Sequence, residues 1–74
     1  MLSKQSCPHT GVVNYFSRAE PHFSVGSIAP LASNHDHYCW RVYDAHRTIA
    51  GIAADMKSAE RRLRQEYHSQ QRVQ

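Results

Sequence analysis

The fold is decided by the closing stretch of the chain, residues 55–74, which reads DMKSAERRLRQEYHSQQRVQ. This stretch contains no Gly or Pro and is rich in residues that favour helices. Asp55 is a suitable N-cap, because its carboxylate can accept a hydrogen bond from a first-turn amide. At about 100° per residue, an apolar stripe falls within a band of roughly 80° and comprises Met56, Ala59, Leu63 and Tyr67. The stretch therefore predicts one long amphipathic C-terminal helix that packs through this stripe.

A second stripe on the same predicted helix is cationic. It lies beside the apolar stripe and comprises Lys57, Arg61, Arg64, His68 and Arg72. A rigid row of cations can bind successive phosphates of a nucleic acid, with release of counterions. The same row also suits an acidic protein surface, where charge sets orientation and association rate. A solvated helix face that binds nothing is the third interpretation, and the pattern alone leaves all three open.

The segment before the helix predicts a β-hairpin over residues 38–53. Tyr38, Trp40 and Val42 alternate and so share one face of a strand, and we expect the helix to cover that face. A turn and a returning strand follow, with Gly51 interrupting the regularity of the second strand. Three residues extend the cationic surface if the other face of the hairpin adjoins it, namely Arg41, Tyr43 and Arg47.

The first half of the chain carries weaker signals. Residues 1–10 have little apolar content and predict an irregular N-terminal lead-in. Residues 11–16 are β-branched and aromatic, and residues 22–29 alternate loosely, so each predicts a short strand. The expected fold is α+β, with a small antiparallel sheet of three to four short strands packed against one C-terminal helix. Residues 11–74 are expected to form a single domain.

Length and composition restrict the function further. A 74-residue chain has a core that barely offsets chain entropy, so a homodimer or another partner is one way to add stability. The net charge of +3 comes entirely from residues 38–74, which have seven basic and four acidic side chains. The first five residues contain no apolar run that could serve as a signal peptide, and no window is apolar enough to span a membrane. A cytoplasmic protein without membrane contact is therefore expected.

Histidines and cysteines suggest an alternative. The segments Cys7/His9 and His35/His37/Cys39 together contain enough N and S ligands for a tetrahedral zinc ion. Their i,i+2 spacing is not that of a CxxC or HxxxH motif, and loop histidines beside a half-buried cysteine explain the same residues. A Cys7–Cys39 disulfide is disfavoured in a reducing compartment. The main expectation is no metal, and the alternative is a small zinc-stabilised structural or interaction domain.

Catalytic motifs are missing from the sequence. It contains no GxSxG motif and no phosphate-binding glycine loop, and a domain of this size rarely encloses a pocket for a small-molecule substrate. The sequence therefore predicts a protein that is not an enzyme and needs no cofactor. The expected function is a non-catalytic binding or regulatory module that uses its basic helix face. Its size also fits a phage- or plasmid-type accessory protein.

Overall fold

A computed structural model describes residues 2–19, 22–31, 37–43 and 47–72 of the chain. The fold of these residues is α+β, with an antiparallel sheet followed by one C-terminal helix. The elements are β1 (Leu2–Ser6), β2 (Val13–Ser17), β3 (Ser24–Pro30), β4 (Tyr38–Tyr43), β5 (Thr48–Ala53) and α1 (Met56–Arg72).

The strands form a meander in the order β1-β2-β3-β4-β5, and every neighbouring pair is antiparallel. The predicted hairpin over residues 38–53 is confirmed, since β4 pairs with β5 from Tyr38↔Ala53 to Tyr43↔Thr48. The two predicted N-terminal strands are also present as β2 and β3, each shifted by one or two residues. The register between them changes after Tyr15, where Gly26 and Ser24 face successive β2 residues and Val25 is the extra residue of a bulge.

The predicted irregular lead-in over residues 1–10 is wrong for Leu2–Ser6, which forms β1 and raises the strand count from the expected three to four to five. Only the first residue of LSKQS is apolar, so the segment has no alternating hydrophobic pattern. Leu2 is buried and the other four residues are exposed. The strand forms because β2 presents a free edge with which the backbone of β1 pairs, and composition does not report that edge.

The core lies between one face of the sheet and the helix. Its buried members are Leu2, Val13, Tyr15, Ile28, Trp40, Val42, Ala59 and Leu63. Helix α1 contacts β3, β4 and β5, so the face that carries Trp40 and Val42 is the covered face, as the sequence predicts. Met56 and Tyr67 are half-buried and pack against the same cluster as Ala59 and Leu63.

Two glycines allow the layers to approach closely. A Cβ atom at Gly26 would lie 2.6 Å from the carbonyl oxygen of Arg41 and 3.2 Å from Leu63 Cδ1. A Cβ atom at Gly51 would lie 2.5 Å from Trp40 Cζ2. Because real Cβ atoms essentially never make contacts shorter than 3.0 Å, a side chain at either position would displace the strand or the indole ring. The absence of a side chain at Gly51 therefore leaves the space that the Trp40 ring occupies in the core.

The outer face of the sheet points away from α1. It carries exposed side chains of Arg41, Tyr43 and Ile52, together with the buried hydroxyl-bearing side chain of Ser27. The Tyr43 and Ser27 hydroxyl oxygens lie 2.9 Å apart and share a hydrogen bond. Among the described residues, no helix has both the length and the apolar content that crossing a lipid bilayer requires.

Candidate polyanion-binding surface

The start of α1 is fixed by Asp55. Its Oδ1 accepts a hydrogen bond of 2.7 Å from the Ser58 amide, and its carbonyl accepts one of 3.0 Å from the Ala59 amide. The first bond satisfies a backbone donor that a helix otherwise leaves free, and the second is the first intrahelical bond; together they form the N-cap arrangement that the sequence predicts. The hydrogen bonds to Ser58 lower the pKa of Asp55 most, and the charges of Arg61 and Lys57 lower it further.

The cationic stripe lies on a side of α1 that is turned away from the sheet. Lys57, Arg61 and His68 are exposed, and Arg64 is half-exposed. We call these four residues the cationic ridge. They follow one another at three- or four-residue intervals, so they rise along the helix in steps of about 4.5–6 Å. Arg72 is the last residue of α1, and its side chain lies outside the described part of the structure.

The ridge is only partly neutralised by neighbouring acids. Glu60 Oε1 lies 3.8 Å from Arg64 Nε, an i,i+4 ion pair that removes part of the charge at one side of the ridge. Asp55 is close enough to Arg61 and Lys57 for their charges to lower its pKa. Exposed pairs of this kind are weak and exchange readily with an incoming anion. The ridge therefore retains cations that are free to meet a polyanion.

Glu60 also connects α1 to the sheet. Its Oε2 accepts a hydrogen bond of 2.6 Å from the Tyr15 hydroxyl, and Lys4 Nζ lies 3.3 Å from the same oxygen. Burial raises the pKa of Tyr15 above its usual range, and the bond to Glu60 raises it further. The same bond is the main reason why the pKa of Glu60 is lowered. These groups hold one flank of the helix against β1 and β2.

The opposite flank of α1 carries a second ion pair. Arg62 Nη2 lies 3.7 Å from Glu66 Oε1, and the Arg62 guanidinium carbon lies 5.6 Å from the centre of a Trp40 ring. The latter is a cation–π distance. Arg62 is thus engaged with the core and with Glu66, and it belongs to the β5 side of the helix rather than to the cationic ridge.

The sheet residues that the sequence grouped with the helix are separated from it. Arg41 and Tyr43 alternate with the buried Trp40 and Val42, so they project from the outer face of the sheet. Arg47 is exposed immediately before β5. The sequence predicts that Arg41 and Tyr43 extend the cationic surface only if the outer face of the hairpin adjoins the helix. The outer face does not adjoin it. The sheet itself lies between them and the cationic ridge.

The two cysteines of the alternative zinc site are far apart. Cys7 follows β1, whereas Cys39 lies on β4, and the register places them three strands apart in one row of the sheet. Three strand spacings amount to about 14 Å, too far for a shared zinc ion or a disulfide. Both cysteines are free thiols.

The histidines of the alternative zinc site do not join them. His9 is exposed in the turn between β1 and β2, whereas His37 is half-buried just before β4, where its carbonyl accepts a hydrogen bond from the Leu31 amide. Strand β3 lies between that turn and β4. Within the described residues, no three His, Cys, Asp or Glu side chains cluster as metal ligands would.

The described residues therefore do not bring Cys7 and His9 together with His37 and Cys39, because the meander places the two i,i+2 segments on hairpins at different positions across the sheet. The zinc alternative stays a prediction. The remaining candidate ligand, His35, lies outside the described residues.

Sequence reasoning missed the contacts that fix the helix flanks. Tyr15 is separated from Glu60 by 45 residues, and no local spacing relates them. The pair of Arg62 and Glu66 is visible from its i,i+4 spacing, but the position of Arg62 over Trp40 depends on how the helix crosses the sheet. The ridge, in contrast, is recognisable from helical periodicity alone.

The chain was also compared with known proteins. No family model matches it, and neither a curated protein nor a solved structure shows significant similarity.

Proposed function

We propose that this chain is a non-catalytic binding module that docks on a polyanion through the cationic ridge, Lys57, Arg61, Arg64 and His68. The observation that carries the proposal is the position of Lys57 and Arg61, which are exposed on α1 and turned away from the buried Ala59 and Leu63. The helix is held on a sheet, so the spacing of these charges does not depend on the partner. A preorganised row loses less conformational entropy on binding than flexible side chains on a loop.

Nucleic acid is the preferred partner class. Its backbone offers a continuous row of negative charges, and the ridge side chains, in steps of about 4.5–6 Å, can each meet a phosphate. Arg64 is paired with Glu60 in the free chain and changes partner at little cost, because such exposed pairs contribute about 0–1 kcal/mol. An acidic protein surface is the second candidate. The same charges support it, but no feature in the shape of the described surface favours a protein over a nucleic acid.

The test is binding to labelled duplex and single-stranded nucleic acid of mixed sequence over a series of salt concentrations. If Lys57, Arg61 and Arg64 each contact a phosphate, the slope of log K against log salt is about −2.7 on a B-form duplex and about −2.1 on a single strand. The variant Lys57→Glu with Arg61→Glu should abolish measurable binding. Both residues are exposed, and Glu is acceptable in the first turns of a helix, so the fold should be retained.

The matched control is Arg41→Glu with Arg47→Glu, which makes the same change in net charge at exposed positions away from the ridge. It should keep most of the affinity and the salt slope. Equal loss in the two double variants would show that only net charge matters, and would reject the ridge. If binding to nucleic acid does not depend on salt, but a nuclease-resistant protein partner is lost from pull-downs with the ridge variant, the acidic-protein alternative replaces the nucleic-acid proposal.

A further inference from the structure

Strand β5 forms an unprotected edge of the sheet. In the described part of the chain it pairs only with β4, and its other edge is open. Residues 48–54 contain no charged side chain, since the flanking charges are Arg47 and Asp55. Ile52 is 64% exposed. An exposed apolar edge is a template for pairing with another strand, and monomeric proteins commonly protect such edges with charges or bulges.

The other edge of the sheet differs. β1 contributes Leu2 to the core, and its remaining residues Ser3–Ser6 are polar or charged and exposed. Lys4 on this strand reaches Glu60 of the helix. A charged, polar edge strand of this kind is a common device against strand addition. Among the described strands, only β5 therefore offers an edge suited to association.

A shallow groove runs beside β5. It is lined by Trp40, Gly51, Ala53, Ser58, Arg62 and Glu66, among others. Ser58 lies near the end of β5, and Arg62 lies over the Trp40 ring that packs on Gly51, so α1 runs antiparallel to β5. The rim of the groove thus carries one cation and one anion, Arg62 and Glu66, arranged along the strand direction.

We propose that two copies of this chain associate through their β5 edges, antiparallel, around a two-fold axis perpendicular to the sheet. This operation joins the sheets into one of ten strands and leaves both helices on the same side. Because α1 follows β5, the helices of the two copies are antiparallel as well. An axis that passes near Ala50 places Arg62 of each copy opposite Glu66 of the other.

The second copy is the occupant because the rim is self-complementary. A two-fold axis pairs the cation of one rim with the anion of the other twice, whereas a strand from an unrelated protein would need a matching charge order. The helices would stand about 14 Å apart if each lies over β4, which is wider than the 8–10 Å of direct helix packing. Long side chains such as Arg62 and Glu66 are suited to bridge that gap. Pairing β5 with β5 is also a closed arrangement, which does not propagate into a fibre.

The first test is Ala50→Lys, measured by sedimentation or light scattering at high micromolar concentration. The unaltered chain should have twice the monomer mass of 8.5 kDa. Ala50 is exposed on the outer face of β5 opposite Arg41, so lysine there introduces one modest like-charge contact within the monomer, which should leave the fold intact, and it puts two further like charges side by side at the axis. The variant should be monomeric with an unchanged circular dichroism spectrum. Ala19→Lys, the same change at an exposed position before β3, should remain dimeric.

The second test uses the rim charges. Arg62→Glu gives an all-acidic rim and Glu66→Arg gives an all-basic rim, so each variant alone should dimerise at least tenfold more weakly. An equimolar mixture of the two should recover a heterodimer, and the double variant Arg62→Glu with Glu66→Arg should recover the homodimer. If a single variant lost its dimer because it failed to fold, neither the mixture nor the double variant would restore dimerisation.

A monomeric unaltered chain would overturn the proposal, as would a dimer that Ala50→Lys leaves intact. The equimolar mixture of the Arg62→Glu and Glu66→Arg variants must form the heterodimer, and if it does not, the pairing of Arg62 with Glu66 across the axis is rejected. The inference stands apart from polyanion binding, because the cationic ridge belongs to a different side of α1. Monomeric Ala50→Lys protein should still bind nucleic acid with a salt dependence, although more weakly if the dimer normally presents two ridges.

Discussion

Tyr15 is a buried residue whose one polar side-chain atom is committed to the helix. Its side chain is 1% exposed, and its hydroxyl donates to Glu60 Oε2 at 2.6 Å. A buried hydroxyl without a partner would cost about 1–3 kcal/mol, so this bond decides how α1 sits on the sheet. Because Glu60 is ionised when it accepts the bond, the contact depends on pH.

Tyr15→Phe should lower the free energy of unfolding near pH 7 by about 1–2 kcal/mol, because it removes a hydrogen bond to the charged Glu60. Glu60 keeps Lys4 as a partner in the variant. The pKa of Glu60 is lowered in the folded chain, first by Tyr15 and then by Lys4. The stabilisation that ionised Glu60 contributes to folding is therefore fully present above the pKa of Glu60 in the unfolded chain. It is lost as the pH falls through the lower pKa of Glu60 in the folded chain. Urea unfolding between about pH 3 and pH 7 should show a shallower loss of stability in acid for the variant.

The control for this prediction is Tyr43→Phe. Tyr43 shares its hydrogen bond with Ser27, a neutral group, so the loss should be the same at acid and neutral pH. If the two variants show the same pH dependence, the bond between Tyr15 and Glu60 does not contribute to the loss of stability in acid.

At the scale of the element, α1 combines a fixed beginning with two distinct flanks. Asp55 caps its first turn, Glu60 holds one flank to β1 and β2, and Arg62 lies over Trp40 on the other. The side that faces solvent is thereby left to the cationic ridge. The orientation of the ridge is a consequence of these contacts, not of the ridge residues themselves.

Asp55→Ala should reduce the midpoint temperature of unfolding and speed amide exchange at Ser58, because the first-turn amide loses its acceptor. Asp55→Asn keeps an acceptor oxygen and should retain most of the cap. The pKa of Asp55 is lowered, so the difference between Asp55→Ala and the unaltered chain should diminish as the pH falls through the folded pKa. An alanine variant with unchanged exchange at Ser58 would contradict the assignment of the cap.

At the scale of the whole molecule, β1 closes the sheet on the side away from the exposed β5. Leu2 joins the buried cluster that also contains Val13 and Tyr15, and Lys4 reaches across to the helix. The N-terminal segment is thus part of the structure that holds the helix in place, although its composition resembles that of a loop.

A chain that begins with Met followed directly by Cys7 should unfold at a lower urea concentration, because Leu2 leaves the core and the edge of β2 is exposed. Burial of one leucine alone contributes about 1.5–3 kcal/mol. The full-length variant Ser3→Ala with Gln5→Ala, which changes only exposed side chains of β1, should unfold at nearly the same concentration as the unaltered chain. An unchanged midpoint in the truncated chain would show that β1 is not part of the cooperative core.

The sequence indicates the elements whose signals are local. The hairpin over residues 38–53 follows from alternation, which places Trp40 and Val42 together, and α1 follows from helical periodicity and from Asp55. The covered face of the sheet and the row of cations on α1 follow from the same periodicities. The bulge at Val25 and the strand at residues 2–6 do not, because neither has a local pattern that distinguishes it from a loop.

By itself, then, the sequence determined an α+β chain with a C-terminal helix, the residues of the hairpin and helix that face its core, and the row of basic residues that share one side of α1. Only the tertiary structure decided that Arg41 and Tyr43 lie across the sheet from those cations, that Cys7 and Cys39 are three strands apart, and that β5 is left as an open edge. The physical reason is that periodicity fixes a side chain's direction within its own element. The position of one element relative to another depends on strand pairing and packing between residues that are distant in the chain.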